Sequence, residues 1–157
     1  MGLSSTGPVD VPPTRHGTYF SGMTTETLGT ETSVADVMSV RLVTVGPDDS
    51  LLSAWELMAR GDIHHLPVVV NGRCLSVVDD RIVAGALANP LARPRRRVAD
   101  VMPARVHCVL ADTPLQRAAE IMRDERTTAI PVVDDDMTLV GLVTDRDVVA
   151  AVAAGAA

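Results

Sequence analysis

Apolar and polar positions run through the same succession of patterns twice along this chain. After Ser33, a short helical turn over 34–38 leads into an apolar strand over 42–45. From 51 to 60, Leu51, Leu52, Trp55, Leu57 and Met58 recur at helical spacing and predict an amphipathic helix with one apolar face. Two strands follow, 66–70 and 75–78, joined through Asn71-Gly72, a dipeptide suited to the tight turn of a hairpin. A helix over 80–87 closes the unit. The order then starts again with a turn over 98–102, a strand over 106–110 and a helix over 115–123, whose apolar side carries Leu115, Ala118, Ala119 and Met122. Strands over 130–133 and 139–143, turned through Asp134-Asp135-Asp136, and a helix over 145–152 complete it. The helix from 115 has start signals of its own: Thr113 is placed to cap it, Pro114 suits its first turn and Gln116 completes a capping box.

The duplication is also literal. Val34-Ala35-Asp36-Val37-Met38 returns as Val98-Ala99-Asp100-Val101-Met102, and His65-Leu66-Pro67-Val68-Val69 is answered by Ala129-Ile130-Pro131-Val132-Val133. Val34 to Val98 and Pro67 to Pro131 are both separations of 64 positions. Two copies of a β-α-β-β-α unit predict an α+β fold whose halves are related by a pseudo-twofold axis, with a small-ligand cleft between them. The repeats span 33–88 and 98–157. The linker over 89–97 carries prolines that break any helix, and its arginines read as a solvated run. Residues 1–32, rich in Gly, Ser, Thr and Pro and without a period, are expected to form a flexible, disordered tail, and Met23 is a possible alternative start.

A chain of 157 residues suffices for one domain of ordinary size, or two small ones that need each other. Its aromatic residues are Tyr19, Phe20 and Trp55 alone, so the core must be aliphatic. The net charge of −6 argues against nucleic acid as a partner. There is no apolar run of the length a membrane span requires and no charged-then-apolar leader, so a cytoplasmic protein is expected. Cys74 and Cys108 lie apart in apolar runs and read as inert buried thiols. His64-His65 with His107 lacks the companions of a zinc set, so no metal is expected, and Asp134-Asp135-Asp136 reads as a solvated turn. No nucleophile, base and orienting group can be assembled, so the chain is not expected to be an enzyme.

One motif carries candidate chemistry. Gly141-Leu142-Val143-Thr144-Asp145-Arg146-Asp147 runs from a strand into a helix N-terminus, where unpaired amides and the helix dipole attract phosphate. The Thr144 hydroxyl suits a phosphate or ribose oxygen, and Asp147 suits the two hydroxyls of a ribose. Thr-x-x-Asp is equally an ordinary capping box. In the first repeat the aligned stretch is Ser76 to Ile82, with Asp79 in place of Thr144 and Ile82 in place of Asp147. That helix keeps a cap without the ribose-type carboxylate, which favours a ligand role for Thr144 and Asp147.

The duplicated unit, the two VADVM openings, the paired Pro-Val-Val strands and Gly141 to Asp147 together resemble the CBS domain pair, named after cystathionine β-synthase, over about residues 33–155. The resemblance implies a regulatory, or Bateman, module that binds AMP, ADP, ATP or S-adenosylmethionine between its halves, requires no cofactor, pairs into homodimers and acts on a separate partner protein. It places Thr144 and Asp147, with Asp145 and Arg146, at phosphate and ribose. Thr128, Ala129, Ile130 and Pro131 then line the base pocket, and Met38 and Val43 form the other wall. A second, degenerate cleft would use Asp79, Ile82, His64, His65, Pro67, Met102 and His107, and its altered polar anchors point away from an ordinary nucleotide. The competing reading is a structural dimerisation module with vestigial clefts.

Overall fold

The computed structural model describes residues 9–10, 31–89, 91 and 96–155, with Val9 and Asp10 described in their backbone alone. Apart from this pair and residues 31–32, the expected tail lies outside the described residues, as do residues 90 and 92–95 of the linker. Val9–Asp10 is strand β1, antiparallel to β2 (Arg41–Leu42). The first repeat consists of α1 (Val34–Val37), β2, α2 (Leu51–Gly61), β3 (His65–Val70), β4 (Arg73–Asp79) and α3 (Asp80–Ala88). The second opens with a 3₁₀ turn, Val98–Asp100, followed by β5 (Val109–Leu110), α4 (Leu115–Glu125), β6 (Ala129–Val133), β7 (Leu139–Thr144) and α5 (Asp145–Ala153). The tandem β-α-β-β-α order holds. The strands expected at 42–45 and 106–110 are shorter: Val45 makes an isolated bridge to Val68, and β5 pairs in parallel with β6 at Val109 and Leu110.

Hairpin β3–β4 turns where Asn71 and Gly72 adopt left-handed φ values of 51° and 79°, as the dipeptide predicts. Helix α2 buries Leu51, Ala54 and Met58, and α4 buries Leu115, Ala118 and Met122, the same spacing in both repeats. Leu52 and Trp55, expected on the inner face of α2, are 56% and 37% exposed. A helix against one sheet buries only a narrow stripe, and Ala54 takes the central place because it allows close approach.

Each repeat lends its opening segment to the other. The Val34 amide donates to the Thr113 carbonyl and the Ala35 amide to that of Ala111, both at 2.8 Å. Reciprocally, the Val98 and Ala99 amides donate to Asp49 and Pro47 carbonyls at 2.9 and 2.8 Å. Val34 is thus packed wholly within the second-repeat core, around Leu115, Ala118, Ile130, Val132 and Val143. Val98 sits in the first-repeat core with Leu51, Ala54, Leu66, Val68 and Val78. The exchange also corrects the expected cap of α4. The N-cap is Pro114, with no side-chain cap, and the first helical amide, of Leu115, donates instead to the Thr32 carbonyl at 2.8 Å. A main-chain acceptor from the segment just before the first repeat takes the place that Thr113 was expected to fill. A third cluster, with Leu42, Ala129, Leu139 and Leu142 packed against Val69, Cys74 and Val77, joins the two hairpins.

Candidate functional site

Two spaces open between the repeats. The smaller, of about 220 Å³, is bounded by Ser39 and Arg41–Val43 after α1, by Ile63–His65 and Pro67 at the start of β3, and by Leu142, Thr144 and Arg146 at the end of β7 and the start of α5. Its first wall is held by a two-way exchange of hydrogen bonds between Ser39 and Leu142, at 2.9 and 3.0 Å. Gly141 makes that approach possible. A Cβ there would stand 2.5 Å from Met38 Sδ and 3.3 Å from the Ser39 carbonyl oxygen. In the first repeat the corresponding residue is Ser76, whose hydroxyl donates to the Pro103 carbonyl at 2.8 Å. Proline has no amide to return, so a side chain replaces half of the main-chain pair.

The larger space, of about 1110 Å³, lies on the other side of the pseudo-twofold. Asp79–Ile82 at the start of α3, Pro103–His107, and Glu125–Ala129 after α4 form its walls, together with Leu75 and Val77, and Asp145 and Arg146 reach its edge. His64, His65 and Arg146 face both spaces. His65 Nε2 lies 2.8 Å from Thr128 Oγ1, a contact across the repeats. Burial holds the His65 imidazole below its ordinary range, against the opposing pull of Asp79, Asp145 and Asp80. His64 Nδ1 is 2.9 Å from Asp80 Oδ2, and this hydrogen bond keeps the Asp80 carboxyl low.

The expected site residues divide differently between the two spaces than their motifs suggested. Val43, Thr144 and Arg146 meet at the smaller one as expected. Thr128 and Ala129 line the larger, with Asp79, Ile82 and His107, whereas Pro67, assigned to the degenerate cleft, lines the smaller. Ser39 pairing with Leu142 brings the first repeat's opening segment over Thr144, so that space takes its floor from β3 rather than β6. Ile130 and Pro131 are buried in β6, Met38 and Met102 pack on the two cores, and the Asp147 carboxylate is held in the cap of α5, so none of these five lines either space. Asp145 faces the larger space. Ser39, Arg41, Leu42, Ile63, Arg105 and Arg126 line the spaces from outside the motifs, and Leu142 and Arg81 do so from within the two aligned stretches, where neither was given a role.

Thr144 and Asp147 form the capping box of α5. The amide and the hydroxyl of Thr144 donate to Asp147 Oδ2 at 2.8 and 3.1 Å. The next amides are also engaged: that of Asp145 donates to the Thr128 carbonyl at 3.0 Å, and that of Arg146 to Asp145 Oδ1 at 2.9 Å. The positive end of this helix is therefore answered by its own carboxylates, and Arg41 and Arg146 are the arginines at the smaller space. Cys74 donates to the Ser76 carbonyl at 3.3 Å, and burial pushes its thiol up to about 12, while burial raises Cys108 as well. Both stay protonated near neutrality, as inert thiols do. Among the described residues no three His, Cys, Asp or Glu side chains are grouped to hold a metal ion, and no helix is long and apolar enough to cross a membrane.

A family model described as "CBS domain" matches residues 34–89 and again 98–154. The solved CBS domain pair of protein MJ0100, in complex with 5′-methylthioadenosine and S-adenosyl-L-methionine, is 26% identical with a TM-score of 0.72, covering 79% of this chain and 98% of that one. CBSX2 in complex with AMP is 29% identical with a TM-score of 0.69, covering 78% and 96%. Inosine-5′-monophosphate dehydrogenase of Methanocaldococcus jannaschii is 32% identical over 114 residues, 72% of this chain and 22% of the dehydrogenase. The chain spans between 22% and 24% of the length of the curated relatives it matches first.

Proposed function

The chain belongs to the CBS domain family, and from that premise we propose that it is a regulatory binding module, not an enzyme, that takes an adenine nucleotide (AMP, ADP or ATP) or S-adenosylmethionine between its repeats. The observation that carries this reading is the smaller space, where an apolar slot of Leu42, Val43, Ile63, Pro67 and Leu142 ends at Thr144 and Arg146. A flat base fits among aliphatic side chains, with a few polar groups fixing its orientation. At about 220 Å³ the slot is smaller than the roughly 300–1,000 Å³ usual for a whole ligand. The base occupies it, and the remainder extends past His65 and Arg146 towards the larger space. Asp147 Oδ1, the oxygen outside the cap, accepts from the ribose, and Arg146 meets phosphate. Bound AMP in CBSX2 and bound S-adenosyl-L-methionine in the MJ0100 pair support the ligand class. Regulation follows if the ligand prefers one of two arrangements of the repeats, or of a homodimer, that a cytoplasmic partner protein distinguishes.

The test is calorimetric titration with AMP, ADP, ATP and S-adenosylmethionine, on the parent and on Asp147→Asn. Asparagine keeps an oxygen for the cap but not the charge. One adenine compound should bind, and the variant should bind it roughly ten- to a hundredfold more weakly, the loss of about 1.5–3 kcal/mol expected of a charged hydrogen bond. Equal binding by parent and variant would remove Asp147 from the site. Absence of binding by all four compounds would favour the dimerisation module, a reading supported by exposed Leu52 and Trp55 on α2.

A further inference from the structure

The wall of the smaller space that carries Arg41, Leu42 and Val43 is pinned at both ends by the repeats themselves. Ser39 exchanges hydrogen bonds with Leu142. Val45 is tied to β3, donating to the Pro67 carbonyl at 3.0 Å and accepting from the Val69 amide at 2.8 Å. Between these points the strand partner of β2, among the described residues, is β1 alone, with Val9 opposite Leu42 and Asp10 opposite Arg41. The second repeat has no counterpart. Arg105 and Val106, each 64 positions on from Arg41 and Leu42, belong to no strand among the described residues. Strand β1 is therefore an addition to the duplicated unit, placed on the wall of one space only.

Its hold is slight. The ladder is two residues long and closes a loop of 30 residues, 11–40, whose ordering it must offset. Pro8 and Pro12 flank the pairing in the sequence and, having no amide hydrogen, cannot lengthen it by donating. A two-stranded ribbon this short is marginal on its own, so the state of β2 decides whether it forms. A base packed on Leu42 and Val43 changes that state. Strand and base make the same demand on the wall, an extended and fixed course through 41–43, and the structure presents the slot and the paired β1 together. Whichever is seated first leaves less ordering for the other. We infer that β1 is a ligand-dependent strap: occupancy of the adenine slot seats it on β2, and loss of the ligand releases it. The inference rests on the slot reading and adds an output to it, because a partner protein that distinguishes β1 seated from β1 released thereby reads the ligand.

Hydrogen exchange and calorimetric titration of the full chain test this, with AMP, ADP, ATP and S-adenosylmethionine as probes. The compound that binds should slow exchange of the paired amide within 9–10 about fivefold or more, the low end of ordinary coupling between sites. The double variant Val9→Pro/Asp10→Pro cannot donate from β1. It should bind the same compound more weakly, and by the same factor, because coupling between two equilibria is reciprocal. A variant that merely deformed the wall would show no such equality. Thermal unfolding of the ligand-free variant should match the parent, since the hydrogen bonds of Ser39 and Val45 remain. Binding without slower exchange at 9–10, or equal affinity in parent and variant, overturns the strap and leaves the slot reading standing. Absence of binding by all four compounds removes both.

Discussion

Replacing Val34 by alanine should weaken the second repeat, although the residue opens the first. Val34 is fully buried, and the residues of the core cluster around it run from Val109 to Ala151. Alanine removes two methyl groups, each worth about 0.8 kcal/mol of transfer free energy, and leaves a hole that close-packed aliphatic neighbours fill only in part. The expected cost is about 2–3 kcal/mol, or a melting temperature lower by roughly 8–12 °C in a domain of this size. The main-chain bonds of Val34 and Ala35 to Thr113 and Ala111 survive, so the segment stays docked and the change is one of packing alone. Hydrogen exchange under native conditions locates the effect. Protection should fall further in α4 and α5 than in α2. Val98→Ala supplies the mirror image, with α2 and α3 affected before α4. Larger losses in α2 than in α4 for Val34→Ala, or a melting shift below about 2 °C, would refute the exchange of openings between the repeats.

Gly141→Ala should cost about 1–3 kcal/mol by overpacking, because its Cβ meets Met38 Sδ at 2.5 Å. Met38→Ala in the same chain should recover at least about 1 kcal/mol of that loss in a double-mutant cycle by urea unfolding, and strict additivity would contradict the contact. His65 gives a pH signature. Its imidazole is held below 6.5 in the folded chain, so as pH falls the unfolded chain takes up the proton first. Stability should therefore decline from about pH 7 downward until the lowered folded value is passed, and the urea midpoint of His65→Gln should lack this decline. A parent midpoint that climbs on acidification through that window would contradict the assignment.

The duplicated order was legible because each element writes its own period into the sequence. Asn71-Gly72 announced its turn through backbone chemistry, and Leu115, Ala118 and Met122 announced their helix by spacing. Periodicity names a buried face but not the surface that covers it. For that reason the VADVM segments could be read as apolar turns without showing that each packs on the other repeat. The same limit misplaced the cap of α4: a hydroxyl at Thr113 is visible in sequence, a carbonyl arriving from Thr32 is not. It also explains the division of the site. Thr144, Thr128 and Ala129 all belong to the second repeat, yet Thr144 lines the smaller space and Thr128 and Ala129 the larger, according to which segment crosses Leu142. Arginines on a surface carry no period at all, and Arg81, Arg105 and Arg126 became a group only once three separate segments met.

The covalent tether over 89–97 changes what the exchanged openings amount to. A solitary repeat would expose the hole that Val34 or Val98 fills, and could close it only by borrowing the opening of a second copy. Such a pair would dissociate on dilution. Joining the two copies in one chain turns that encounter into an intramolecular one, with an effective concentration on the order of millimolar for a short tether. The fold of each half then no longer depends on how much protein is present, and the two openings are free to diverge. Ser39 and Pro103 already have: one returns two main-chain hydrogen bonds and the other accepts a single bond from a serine. Asymmetry between the two spaces is thus a freedom that the tether confers.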